Sequence, residues 1–579
     1  MLINRRLRFK NFLNQINKLK LDGFLLNKVD MYQGEEVREI DERLFWLTGF
    51  SGSAGDLLIL NNKAALFSDS RYKLQMDHEL DSEIYDCFDY LETSMEDWII
   101  NLQLNKQKKY KIGFYKWTVT QTKFKNLSEK FSKFNILFEG VEYNPIDKIW
   151  KNRPQKKVSK FWKLEKKYYG LSSNEKIKKA VENIKKNNSD LQFISSPTNV
   201  NWILNIRGND LKCTPLHLCF AFLDTKENIT IVYDYKNNKN NFKNNILIEN
   251  LDSWLKKCSG KKILCDPLTI PTGVVEKLKK NKLNILYKSD DLTNCKSKKN
   301  RHEIKGFNEA HLYDGIALTK FWYWFENNFK SNVFNESYIS KKLNEFRKEE
   351  KKYICDSFET IVGFGSNAAI VHYRPIAGRD SAVKNNNILL IDSGAHYECG
   401  TTDITRTFAI GKPNREVVFN STIILSAHIN LSKLIFPKNS TGMQLDAICR
   451  NQMWLNNLDY GHGVGHILSV HESPPSLSKM SNNYVVRGNI ISNEPGYYKT
   501  NNYGIRHENL LEVINDKKNW LKFKCLTIFP FDLKLVDKSF LNSQQICWLN
   551  EYHKEVYNIL SNYLSDDLKL FLKKKCISI

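Results

Sequence analysis

The sequence predicts a mixed α/β and α+β protein of three domains: an α/β domain over residues 1–150, a second copy over 151–295, and a larger domain over 296–579 that carries the chemistry. Three observations lead there. A chain of 579 residues is well beyond the ~250–300 residues at which a single core stops growing. One pattern, an aromatic apolar segment, a glycine-bearing turn and a buried strand, occurs twice in the N-terminal half. A polar stretch at residues 295–303 then gives way to a long amphipathic helix.

In the first copy, RLFWLTGFSGSAGDLLIL (43–60) runs from a short aromatic helix or turn through a Gly/Ser loop into a strand. AALFSDSRY (64–72) reads as the next strand, with Arg71 at its end. In the second copy, NVNWILNIRGNDLKCTPLHLCFAFL (199–223) repeats the pattern and ITIVYDY (229–235) follows. The break between the copies falls between Asn144-Pro145 and Arg153-Pro154, where prolines and charge interrupt the periodicity. The next break is CKSKKNRHE (295–303), ahead of IKGFNEAHLYDGIALTKFWYWFEN, whose apolar positions recur at three and four residues.

The net charge of +23 comes from Lys/Asn-rich runs spread along the chain, without a basic stripe interleaved with aromatics, which argues against nucleic acid as a partner. No run reaches the ~18 consecutive apolar residues of a membrane span. The 12 cysteines, scattered from Cys87 to Cys576, include no CxxC pair, and the basic N-terminus lacks an apolar leader. A cytoplasmic protein with reduced thiols is expected.

The chemistry is concentrated near the C-terminal end. NILLIDSGAHYECGTTDITRTFAIG (387–411) reads as a hairpin in which Asp392 and Asp403 face each other across the ladder, where like charges repel unless a cation lies between them. Further ionisable residues lie in apolar surroundings at strand ends: DYGHGVGHILSVHESP (459–474), IISNEPGYY (490–498) and YGIRHENLLEVI (503–514). Burying Glu494 or Glu508 alone would cost several kcal/mol, so each needs a metal or a cationic partner. Four carboxylates and one imidazole form a hard, oxygen-rich ligand set, so two divalent ions are expected, manganese first and zinc or cobalt as alternatives. Such a pair, typically ~3.5–4 Å apart, activates water and polarises a carbonyl. The reaction implied is hydrolysis. Cys399 lies on the turn without an arranged base and is read as incidental.

These segments resemble the Xaa-Pro aminopeptidases, relatives of prolidase and methionine aminopeptidase that share the pita-bread catalytic fold. The matching motifs are Asp392 and Asp403 in IDSGAHYECGTTDITRT, a histidine in the HGVG region, Glu494 in SNEPGYY and Glu508 in GIRHENL. WLTGFSGSAG, DSRY, NPIDKIW and NVNWILNIRG are similar to the N-terminal part of the larger, three-domain form, which implies two creatinase/prolidase-like α/β domains. The resemblance implies an enzyme that removes the residue preceding a proline at the second position of a peptide. It implies that His372 and His471 hold substrate and stabilise the developing oxyanion, and that Glu494 both holds metal and shuttles a proton. It further implies that Arg506 orients a ligand, and that Arg71 reaches the site of a neighbouring subunit in a homodimer. Without the resemblance, Arg71 is a strand-end arginine.

One departure leaves the histidine ligand open. Relatives carry HGTGHGVG followed by VHE, whereas here only HGVGHILSVHE remains, with His462, His466 and His471 as candidates. If the first His-Gly unit was lost, His462 is the ligand at the relatives' nine-residue spacing from His471; if the second, His466 is. The retained spacing favours His462 as ligand and leaves His466 as a substrate-side group. Two other readings differ in function: a prolidase-like dipeptidase on the same scaffold, and a non-catalytic binding member, which should have lost ligands.

Overall fold

A computed structural model describes residues 2–156, 159–234, 242–329 and 333–579. The chain divides into two compact units, Met1–Lys163 with Leu171–Leu292, and Leu164–Gly170 with Thr293–Ile579.

The first unit contains the duplication as two six-stranded sheets. The order in one is Tyr85–Asp89, Lys63–Ser68, Asp56–Leu60, Gly23–Asn27, Tyr110–Tyr115, Ile136–Val141. In the other it is Asn245–Leu247, Ile229–Tyr233, Phe220–Asp224, Leu191–Ile194, Lys262–Cys265, Asn284–Tyr287. Each sheet has two antiparallel pairings among its second to fourth strands and parallel pairings outside them, so the pattern repeats strand for strand. The first hairpin closes through Asn61 and Asn62, both in the left-handed region (φ 50° and 63°), as a primed turn requires. The strand expected over 64–72 ends at Ser68, because Asp69 caps a 3-10 turn over Ser70–Tyr72. Arg71 therefore sits on that turn and not at a strand end. Tyr235, at the end of the strand expected over 229–235, lies outside the described residues.

The second unit contains the expected helix, Arg301–Asn328, whose start is fixed by a reciprocal Asn300/Glu303 capping box. Gly306 on this helix lets the turn after Tyr397 dock: a Cβ there would lie 2.2 Å from the Cys399 carbonyl oxygen. Behind the helix are a three-stranded sheet, Ile361–Phe364, Asn387–Ser393, Ile404–Ile410, and a six-stranded sheet, Ile435–Pro437, Trp520–Cys525, Asn509–Asn515, Ile490–Asn493, Gly465–Leu468, Glu472–Leu477. A short hairpin, Gly496–Lys499 with Tyr503–Arg506, lies in the chain between Glu494 and Glu508. The helices Arg415–Ser432 and Gly442–Trp454 pack on this framework, and their apolar faces join Ile388, Ile467, Ile491, Leu511 and Val513 in one core. Among the described residues, no helix is long and apolar enough to cross a membrane.

A buried aromatic-basic cluster behind the sheets sets an acid limit on stability. The Arg406 guanidinium lies 4.0 Å from the Phe531 ring centroid, and the His428, His507 and His553 rings surround the same phenyl ring at 5.3, 5.6 and 6.3 Å. Burial, aided by the Arg406 charge, pushes His553 down to about 3 and His428 well below its ordinary value. Both are thus neutral in the fold. The unfolded chain takes up these protons below about pH 6.5, so stability present at neutral pH is lost as pH falls from there toward 3. At pH 5 the expected loss through His553 is roughly 2 kcal/mol. Urea unfolding at pH 7.5 and pH 5 checks this: His553→Gln, which keeps an acceptor for the Phe531 N–H, should narrow the difference by that amount. An unchanged difference would show that His553 takes no part.

Candidate metal centre

Four strand ends deliver the carboxylates. Asp392 is the penultimate residue of Asn387–Ser393, Asp403 precedes Ile404–Ile410, Glu494 follows Ile490–Asn493, and Glu508 lies between Tyr503–Arg506 and Asn509–Asn515. The two aspartates are not direct cross-strand partners: Asp392 pairs with Thr405 and Ser393 with Ile404, which leaves Asp403 just off the ladder. An excursion over Gly394–Thr402, with its own His396–Thr401 bridge, replaces a tight turn. Asp392, Asp403 and Glu508 each still offer an oxygen within 4.8 Å of the others, and all three are buried.

Such a group cannot stay fully ionised by itself. At an effective dielectric of about 20, two unit charges ~4 Å apart repel by roughly 4 kcal/mol. Burial, then the neighbouring carboxylates, raise Asp403 and Glu508 well above the carboxylate range. Burial raises Glu494 to about 8, with Arg506 opposing the shift and Glu472 and Asp392 adding to it. Asp392 Oδ1 is buried and has no hydrogen-bond partner among the described residues. An orphaned acceptor amid mutually repelling carboxylates fits a bound cation and fits little else.

The surrounding groups hold this arrangement. Thr405 Oγ1 donates to Glu508 Oε2 (2.7 Å) and Ser492 Oγ to Glu494 Oε1 (2.9 Å). Arg506 is buried; its Nη2 donates to Asp392 Oδ2 (2.6 Å), its Nη1 to Tyr498 Oη (2.6 Å) and its Nε to Thr405 Oγ1 (3.1 Å). Burial opposes the Arg506 charge, but Tyr498, Asp392 and Glu494 more than offset it and raise its pKa.

The two candidate ligand histidines, His462 and His466, lie in different surroundings. His466 is the second residue of the strand Gly465–Leu468, and its Nε2 lies 3.5 Å from Glu494, 3.6 Å from Glu472 and 3.8 Å from Asp403. His462 precedes that strand; its Nδ1 lies 2.7 Å from the Gly463 carbonyl and its Nε2 2.8 Å from Tyr498 Oη. The reason is the helix Gly442–Trp454: its Asp446 accepts from the Val464 N–H, and its Arg450 donates to the Tyr460 and His462 carbonyls. These bonds pin residues 460–464 before the strand begins.

The remaining candidates are spread more widely. His471, half-buried, lies in the bend between two strands, with its Nδ1 accepting from the Glu472 N–H. His372, half-buried, follows the 3-10 helix Gly365–Ala369, next to Val371, whose carbonyl lies 3.5 Å from Arg506 Nη2. Arg71 belongs to the first unit, where its Nε and Nη2 grip Asp69 (2.7 and 2.8 Å). Burial pushes the Cys399 thiol up to about 12, which removes it as a nucleophile. Thr405, Tyr498 and Glu472 were not singled out from the sequence, although each lies within or beside a segment that was.

Comparison with known proteins gives a consistent picture. Residues 305–515 match the metallopeptidase family M24 and residues 519–579 the C-terminal region of peptidase M24. Residues 8–143 and 152–303 each match a creatinase/prolidase N-terminal domain. The Xaa-Pro aminopeptidase 1 of Dictyostelium discoideum is 32% identical over 93% of this chain and 90% of its own length. The Xaa-Pro aminopeptidase app-1 of Caenorhabditis elegans is 30% identical over 96% and 95%. A crystal structure of X-prolyl aminopeptidase from C. elegans, described as a cytosolic enzyme with a di-nuclear active site, superposes with a TM-score of 0.90 at 28% identity, covering 96% of this chain and 95% of that one.

Proposed function

We propose that this chain, which belongs to the Xaa-Pro aminopeptidases of metallopeptidase family M24, hydrolyses the bond between an N-terminal residue and a following proline. The observation that carries the reading is the buried group Asp392, Asp403 and Glu508, each with an oxygen within 4.8 Å of the others, beside the His466 imidazole that lies 3.8 Å from Asp403 and 3.5 Å from Glu494. We assign the ligands as Asp392, Asp403, Glu494, Glu508 and His466, for two divalent ions with manganese as the first choice. When bound, the ions would supply an activated water and polarise the scissile carbonyl.

The chain's own groups account for the rest. Glu494 carries the proton of the attacking water to the proline nitrogen, which must be protonated to leave as the C–N bond breaks. His372 and His471 donate to the carbonyl oxygen as charge develops on it. Arg506 fixes Asp392 from behind, and Tyr498 links Arg506 to His462. The three-domain division at 150/151 and 295/296, a cytoplasmic location and a homodimer in which Arg71 serves the neighbouring subunit's peptide site complete the proposal.

Substrate choice tests it. The manganese-loaded protein should remove alanine from Ala-Pro-Ala and leave Ala-Ala-Ala intact, because the tertiary amide with its fixed φ requires a pocket shaped for the ring. Equal hydrolysis of the two would sink the reading. Preference for Ala-Pro over Ala-Pro-Ala would favour the dipeptidase alternative.

A further inference from the structure

We infer that Glu336 is a positioning residue for His372, a role that rests on the assignment of His372 as a substrate-holding group. Glu336 opens the helix Glu336–Arg347 and is fully buried, yet among the described residues no Lys or Arg pairs with its carboxylate. Its oxygens instead gather donors from across one segment. Oε1 accepts from the Phe364 N–H (2.6 Å) and Oε2 from the Ser381 N–H and the Tyr373 hydroxyl (2.8 Å each), while Asn367 Nδ2 lies 3.0 Å from both oxygens. One carboxylate thus ties down the start, the middle and the end of the stretch 364–381.

His372 is inside this stretch, next to Tyr373. The far end is fastened again by Glu336 N–H to Ser381 O (3.1 Å) and Val383 N–H to Phe334 O (2.8 Å). The near end is seated on the strand that carries Arg506: a Cβ on Gly504 would lie 1.8 Å from the Ala368 carbonyl oxygen, so the two backbones touch. The His372 segment is therefore held between the Arg506 strand and the Glu336 carboxylate. A carboxylate suits the place because every group facing it is a donor. A glutamine would turn its own NH2 toward an N–H or O–H, leaving that donor unmatched and the segment displaced.

The test is a double-mutant cycle on Ala-Pro-Ala hydrolysis, with bound metal and thermal unfolding measured in each protein. Glu336→Gln should lower kcat/KM roughly ten- to hundredfold, the scale of a misplaced catalytic group, with metal content unchanged. In the His372→Ala background the same substitution should cost nothing further. Tyr373→Phe removes one donor beside His372 without disturbing the buried charge; it should show the same behaviour on a smaller scale and serves if Glu336→Gln does not fold. Losses that multiply in the double variants, or wild-type kcat/KM in Glu336→Gln and Tyr373→Phe, would overturn the inference while leaving the aminopeptidase reading standing. Failure of the wild-type protein to cleave Ala-Pro-Ala would instead overturn that reading and the inference with it.

Discussion

Asp403→Asn and Glu508→Gln are each expected to abolish turnover of Ala-Pro-Ala while the protein stays folded. Each change removes one negative charge and almost no volume, so packing around the site is retained. The loss should exceed the hundredfold or so that follows from disturbing a ligand's support, because a ligand itself is removed. The same substitutions should act with the opposite sign on the stability of chelated protein. Without cations the buried carboxylates repel one another, and burial together with that repulsion raises Asp403 and Glu508. Neutralising one relieves that repulsion, and each kcal/mol recovered should raise the unfolding temperature by roughly 1–2 °C for a unit of this size. Activity with added manganese and thermal unfolding with chelator form the paired measurement. A variant with wild-type turnover and confirmed metal content would contradict the dinuclear assignment.

Much of this site was legible because its residues obey local rules. Asp392, Asp403, Glu494 and Glu508 stand next to apolar strand runs, where an ionised side chain demands a partner, and the order of the segments is that of the family. The duplication was legible for a similar reason: the aromatic segment, turn and strand recur with the spacing of one structural unit, and both sheets pair in the same pattern. What escaped was register and loop path. The Asp392–Thr405 pairing depends on a nine-residue excursion, Gly394–Thr402, that the sequence presents as a turn. Arg71 was taken for a strand end because Asp69 and Ser70 break the strand by a side-chain cap that apolar patterning does not register. Glu336 could not have been found, since its partners Phe364, Asn367, Tyr373 and Ser381 lie 28 to 45 residues away. In the sequence the choice between His462 and His466 rests on spacing alone, which says nothing about which side of Gly465 a strand begins.

That last point sets the sharper experiment. His466→Ala is expected to weaken metal binding by at least tenfold, about 1.4 kcal/mol, whereas His462→Ala should keep its metal. His466 Nε2 faces Asp403, Glu472 and Glu494, and its Nδ1 lies 3.5 Å from the Ile467 carbonyl, the arrangement in which a backbone acceptor orients an imidazole for ligation through Nε2. The His462 ring instead contacts Tyr498 Oη, which in turn accepts from Arg506 at Asp392. Loss of His462 should therefore act at one remove, lowering kcat through Arg506 by less than loss of a ligand does. Isothermal titration of chelated protein with manganese, alongside kcat for each variant, separates the two roles. Metal lost from His462→Ala and retained in His466→Ala would return the ligand to His462. The shortening of HGTGHGVG would then be placed ahead of the metal histidine, with Asp392, Asp403, Glu494 and Glu508 unaffected.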